Sequence, residues 1–312
     1  MRNSLQWDSP EWIESAQTWV NENLKQRGVE PVGNLTKVSG WALGQIFKQN
    51  TKDGFYFFKA TAFLPLFSNE SLLCLKLAEL TPEYVPNTIC CSESEQWMIS
   101  RDFGGGLPEG ADITLWVEAF KTFAQLQKLS FNHINELIEN GCLQREIHDI
   151  PKQLDEILSD NGIVRHLPEQ FKIKRREIIF KVKQSVEALA KFNIPNTLVH
   201  GDLHIENIAK IGDRFLFFDW SDACISHPFI DGTYIFRMPE GKDKDIIVNT
   251  YLSQWSNLYK LEDLKSAWKQ AELVCYTHQA ISYASMKRAL SNVQMQDLGQ
   301  AFTNAFNRLL AS

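Results

Sequence analysis

Apolar residues first recur at helical spacing. Trp12, Ile13, Ala16, Trp19, Val20 and Leu24 fall on one side of a predicted helix. Ser9 and Pro10 provide its N-cap and first turn, Glu11 suits the positive end of its dipole, and Gly28 ends it. Between 34 and 64 the chain turns aromatic and β-branched, as in Gln45-Ile46-Phe47 and in Phe55-Tyr56-Phe57-Phe58-Lys59-Ala60-Thr61. Thr51-Lys52-Asp53-Gly54 reads as the turn between two strands of a small antiparallel sheet. Ser68 is the expected cap of a helix carrying Glu70, Leu72, Leu73, Leu77 and Leu80, stopped by Pro82. A strand over Gln96 to Arg101 leads into Gly104-Gly105-Gly106.

From about residue 112 the helical period takes over. Leu115, Ala119, Phe123 and Leu126 share one face; Phe171, Ile178, Ile179, Val182, Val186 and Leu189 share another. Short strands are expected at 197–199, 208–211 and 214–218, with a turn at Gly212-Asp213, and helices thereafter. The pattern predicts an α+β chain: a small sheet-plus-helix lobe, a glycine hinge, then a larger helical lobe. Its boundaries are 1–30 for a helix packing on the small lobe, 31–103 for that lobe and 104–312 for the rest. Ligands favour the cleft between such lobes.

Composition narrows the classes. With 312 residues, 44% hydrophobic and 22% charged, the chain can bury a core without staples. A net charge of −6, with no run of five like charges, argues against a nucleic-acid partner. The six cysteines are scattered without metal-ligand spacing and are expected as free thiols. The opening MRNSLQWDSPEW lacks the apolar stretch of a signal peptide, and no run is long enough to span a bilayer, so no membrane and a cytoplasmic location are expected.

The chemistry concentrates in His200-Gly201-Asp202-Leu203-His204-Ile205-Glu206-Asn207, followed by Phe217-Phe218-Asp219-Trp220 at a strand end. A hairpin between the two segments would bring Asp202, Asn207 and Asp219 together. Phosphoryl transfer needs a carboxylate to take the proton of the attacking hydroxyl, and hard oxygen ligands for Mg²⁺. The same Asp-to-Asn offset occurs in the catalytic loop of protein kinases. Asp and Asn also occur in ordinary turns. Lys59, on an apolar strand, needs an anionic partner, such as a nucleotide phosphate with Glu70 behind it, unless it lies on an edge strand facing water.

These residues, with His227-Pro228-Phe229-Ile230-Asp231, resemble the aminoglycoside phosphotransferase family, which is akin to choline kinases and more distantly to protein kinases. The likeness runs over roughly 34–240, through Val85-Pro86, and implies a two-lobed protein-kinase-like fold. It implies Asp202 as catalytic base, Asn207 and Asp219 as Mg²⁺ ligands, Lys59 on the nucleotide phosphates with Glu70 orienting it, and the backbone of Ser100 to Asp102 on the purine edge. His204 would either approach the transferred phosphoryl group or hold the loop; Asp231 would support the loop, and His200 would pack within it. The sequence departs from the kinase pattern at Ser39-Gly40-Trp41-Ala42-Leu43-Gly44, where no G-x-G-x-x-G precedes Lys59, and at Glu206 and Gly232.

The expected function is a phosphotransferase moving the γ-phosphate of ATP or GTP to a hydroxyl of a small molecule. The alternatives are a catalytically silent nucleotide-binding protein and a metallophosphoesterase. Tyr276, His278, Tyr283, Glu262, Asp263 and Glu272 are candidate acceptor contacts or ordinary packing and surface positions. The acidic balance would suit a cationic acceptor. The oligomeric state is left open.

Overall fold

The computed structural model describes residues 7–291, 293–296 and 298–312. Helix α1 (Pro10–Gln26) begins where expected, with Ser9 Oγ accepting the Trp12 N–H at 3.2 Å. Strands β1 (Pro31–Trp41), β2 (Gly44–Thr51) and β3 (Gly54–Thr61) follow, then α2 (Glu70–Leu80), β4 (Thr88–Ser92) and β5 (Trp97–Arg101). They form an antiparallel sheet in the order β1-β2-β3-β5-β4. Phe47, Phe58, Ala60, Trp97 and Ile99 cover one face and bury Ala16, Val20 and Leu24 of α1. The Trp12 ring lies 5.7–6.0 Å from those of Phe47, Phe58 and Trp97, distances at which aromatic pairs attract.

Two local expectations are corrected. Asn69, not Ser68, caps α2, its Oδ1 accepting the Leu72 N–H at 3.3 Å. Ser68 instead donates to the Ala223 carbonyl at 2.7 Å and accepts the Leu143 N–H at 2.9 Å, tying the start of α2 to the large lobe. Strand β4 was not foreseen: Thr88-Ile89-Cys90-Cys91-Ser92 carries a weak alternation, and its pairing with β5 defines it.

The large lobe runs α3 (Ile113–Ser130), α4 (Ile134–Glu139), β6 (Leu143–Gln144), α5 (Ile150–Leu158), α6 (Asn161–Val164), α7 (Glu169–Ala190), β7 (Thr197–Val199), β8 (Ile208–Ile211), β9 (Arg214–Phe217), β10 (Cys224–Ser226), α8 (Thr233–Phe236), α9 (Lys242–Ser253), α10 (Leu261–Ala289) and α11 (Gly299–Ala311). The expected faces are buried, except that Leu115 and Ile179 are only half-buried. The region after 218 is not all helix. Strand β10 pairs antiparallel with β7 and parallel with β6, in a ladder too short to leave a period in the sequence. All six cysteines are unpaired thiols. No helix of the described residues is long and apolar enough to cross a membrane.

Candidate functional site

Strand β3 lies between β2 and β5, so Lys59 is not on an edge. Alternation sends Phe58 and Ala60 toward α1 and puts Phe57 and Lys59 on the wall of the cleft. There Lys59 Nζ lies 2.7 Å from Glu70 Oε1 and 2.8 Å from Asp219 Oδ1. Glu70 is fully buried and also accepts from Thr61 Oγ1 at 2.8 Å and from the Trp220 N–H at 3.1 Å. Burial opposes the charge on Lys59, but the carboxylates of Asp219 and Glu70 outweigh it and raise its pKa. Burial likewise disfavours the Asp219 carboxylate, and the Lys59 charge overcomes it, holding Asp219 below the usual range.

The loop after β7 is held from below by Asp231. Its carboxylate accepts the N–H groups of His200 at 3.1 Å and Gly201 at 2.9 Å, and Gln127 Nε2 at 3.0 Å. Burial pushes this carboxyl up to about 7, against the pull of those donors. Gly201 has φ +83°, and a Cβ there would sit 2.3 Å from the Asp222 carbonyl oxygen, so the position admits only glycine. His200 packs beneath the loop, its ring 4.6 Å from that of Trp220 and its Nε2 2.9 Å from the Phe218 carbonyl. Burial lowers its pKa to about 4.

The β8–β9 hairpin brings the two acidic segments side by side. Asn207 Nδ2 donates to the Asp202 carbonyl at 3.0 Å, and the Phe218 N–H donates to the Asn207 carbonyl at 3.1 Å. Asp219 has φ +69°, a left-handed conformation that Asp tolerates and that functional sites often retain. Its Oδ1 accepts Ser221 Oγ at 3.1 Å besides Lys59. Asp202 and Asp219 line one cavity with Ser221, Asp222 and Tyr283.

Three neighbours of Asp202 gave no signal in the sequence. Tyr234 Oη donates to Asp202 Oδ1 at 2.6 Å. Asp222, whose pKa is raised by burial and then by Asp202 and Asp219, lines the same cavity, as does Ser221. His204 Nε2 stands 3.7 Å from Asp202 Oδ2, its Nδ1 is 3.5 Å from Glu206, and its ring packs on Tyr234. Of the acceptor candidates, only Tyr283 reaches this cavity. Tyr276 and His278 are buried in α10, and Glu262 and Asp263 are exposed in its first turn.

On the other side of Lys59 an apolar slot of about 230 Å³ opens between the lobes, lined by Val38, Ile46, Phe57, Met98, Phe103 and Phe218 among others. Ser100 lines it, its Oγ 2.9 Å from Thr88 Oγ1. Asp102 lies outside the lining; its side chain accepts the Gly104 N–H at 2.9 Å. Gly104, Gly105 and Gly106 close the slot, and a Cβ on Gly106 would meet the Glu206 carbonyl oxygen at 1.9 Å. The glycine hinge therefore lies directly on the catalytic loop.

Residues 113–265 match the model of the phosphotransferase enzyme family, APH. No curated protein matches the sequence. Among solved structures, a choline kinase from Streptococcus pneumoniae has a TM-score of 0.63 at 11% identity, covering 95% of this chain and 99% of its own. An APH(2") enzyme complexed with GDP and kanamycin gives 0.62 at 13%, with 94% and 98% covered. A spectinomycin phosphotransferase complexed with ADP and its antibiotic gives 0.57 at 14%, with 95% and 94% covered. The fold is thus the two-lobed, protein-kinase-like one.

Proposed function

We propose, from the premise that this chain belongs to the aminoglycoside phosphotransferase and choline kinase-like family, that it moves the γ-phosphoryl group of ATP or GTP to a small-molecule hydroxyl. The observation that carries the reading is the amine of Lys59, held between Glu70 and Asp219 at the mouth of the apolar slot. A purine would enter the slot against the backbone of Ser100 to Asp102, with its phosphates toward Lys59. Donors of both kinds, as ADP and GDP, accompany enzymes of this fold, so the base is left as a purine.

Asn207 has committed its amide nitrogen to the Asp202 carbonyl, so its oxygen is the group left to ligate. Asp219 has engaged Oδ1, and Oδ2 remains. These are hard oxygen donors that suit Mg²⁺, which would neutralise the phosphate oxygens when bound. Asp202 Oδ1 is anchored by Tyr234, so Oδ2 is the atom to receive the acceptor's proton. The acceptor oxygen forms the new bond to phosphorus as the bond to the leaving diphosphate breaks, and its proton passes to Asp202. His204 and Asp231 support the loop.

The test is product-confirmed phosphoryl transfer across a library of hydroxyl compounds. Asp202→Ala should lose roughly 10²–10⁴-fold in rate, the range for general acid–base catalysis, and Asp219→Ala should lose its response to Mg²⁺. Variants that transfer as fast as the parent would sink the assignment. Tight nucleotide binding without transfer to any acceptor would favour the silent alternative.

A further inference from the structure

Beside Asp202 stands a group of side chains that phosphoryl transfer does not itself require. Tyr276, Gln279 and Tyr283 lie on successive turns of one side of α10. Gln279 and Tyr283 line the cavity that contains Asp202. Arg237, just past α8, lays its guanidinium 4.1 Å from the centre of the Tyr234 ring, and Tyr234 in turn holds Asp202. One Arg237 nitrogen donates to Gln279 Oε1. Its Nε is buried and has no hydrogen-bond partner. Arg308, on α11, is half-buried and faces the same set: Arg237, Tyr276, Tyr234 and Tyr283 are its electrostatic neighbours.

Neither arginine has a carboxylate within ion-pair distance among the described residues, whereas Lys59, Lys244, Arg175 and Arg288 each have one. The nearby acid, Glu272, is taken up by Tyr276. Two guanidinium groups with like charge, close together and away from bulk water, repel unless an anion sits between them. Asp222 and Asp202 lie deeper, on the phosphoryl side of the cavity.

We infer that the acceptor carries an anionic group, a carboxylate or a phosphate ester, which Arg237 and Arg308 receive while its hydroxyl reaches Asp202. This deepens the kinase reading and rests on it. It also reverses the expectation of a cationic acceptor drawn from overall charge, because the local field at the acceptor end is positive. Planar guanidinium forks suit carboxylate and phosphate oxygens alike.

The experiment uses the full chain with Mg²⁺ and ATP or GTP, reading phosphorylated product by mass spectrometry. One arm offers carboxylate-bearing alcohols (L-homoserine, D-glycerate, D-gluconate). A second offers phosphate esters (glycerol 3-phosphate, glucose 6-phosphate). The controls are glycerol and glucose as neutral acceptors, and ethanolamine, choline and kanamycin as cationic ones. Transfer should favour one anionic arm, and which arm identifies the group. Arg308→Gln should raise KM for that acceptor at least tenfold and leave KM for the nucleotide in place. Arg237→Gln should do the same, and Arg308→Gln keeps the question open to refutation if loss of the Tyr234 and Gln279 contacts unfolds the other variant. In parallel, binding of D-gluconate and of glycerol 3-phosphate is measured by calorimetry in the presence of Mg²⁺ and ADP. Transfer to cationic or neutral acceptors with unchanged kinetics in both variants overturns the inference and leaves the kinase reading intact. Arginine-dependent binding of an anionic probe, with no transfer to any acceptor, supports the anion site and sinks the kinase reading instead. No arginine-dependent binding and no anionic product overturns the inference.

Discussion

At the scale of single residues, the site depends on charges that are buried together. Glu70 has no exposed surface, and Lys59 is the cation that makes its ionisation tolerable. Taking one partner from a buried pair leaves an uncompensated charge and costs about 3–5 kcal/mol. Lys59→Met should therefore destabilise the fold by that order in urea unfolding, besides weakening nucleotide binding. Adding Glu70→Gln should restore part of the stability, because the neutral amide can still accept from Thr61 and Trp220, but not the nucleotide affinity. Equal stability of Lys59→Met and the parent would show that the ion pair does not hold the lobe. The lysine and the acid were legible in the sequence as types. Their pairing was not, since Asp219 lies 160 positions from Lys59.

Elements fix where those residues stand, and short ones are the least legible. The turn Pro228–Gly232 is capped by His227, whose Nδ1 accepts the Phe229 N–H at 3.2 Å. Burial alone lowers the His227 pKa from 6.5 to about 3. Between those values the unfolded chain takes up a proton that the folded chain refuses, so this histidine weakens folding as pH falls through the window and costs nothing above it. His227→Asn keeps an oxygen for the Phe229 N–H and removes the titration. The variant should show a shallower fall in melting temperature between pH 6.5 and 4 than the parent. Parallel curves for the two proteins would rule out this source of acid sensitivity. The turn carries Asp231, which fastens the catalytic loop, so a local cap supports the chemistry at one remove.

For the whole molecule, the essential feature is that the site belongs to neither lobe. Lys59 and the slot come from the sheet, while Asp202, Asn207 and Asp219 come from the loops of the helical lobe. Ser68, bonded to Ala223 and Leu143, and Gly106, pressed on the Glu206 backbone, are further ties across the boundary. A Mg²⁺-nucleotide complex should therefore slow amide hydrogen exchange in β3 and β5 and in residues 202–219 together. At 100 times its Kd it should add about 2.7 kcal/mol of stability, and a chelator should remove most of it. Protection confined to one lobe would contradict a shared site.

The sequence by itself determined the kinds of group present and the long elements. Helical faces such as those of α1, α3 and α7 are written in local spacing, and so is the offset from Asp202 to Asn207. Only the tertiary structure decided which groups meet. Strands β4 and β10 exist through their partners, Asn69 rather than Ser68 caps α2 because Ser68 is drawn to the other lobe, and Tyr234, Arg237 and Arg308 gather around Asp202 from three separate segments. Periodicity reports the environment of a chain segment averaged along its own length. Hydrogen bonds and charges act between atoms a few ångströms apart, wherever the chain has brought them.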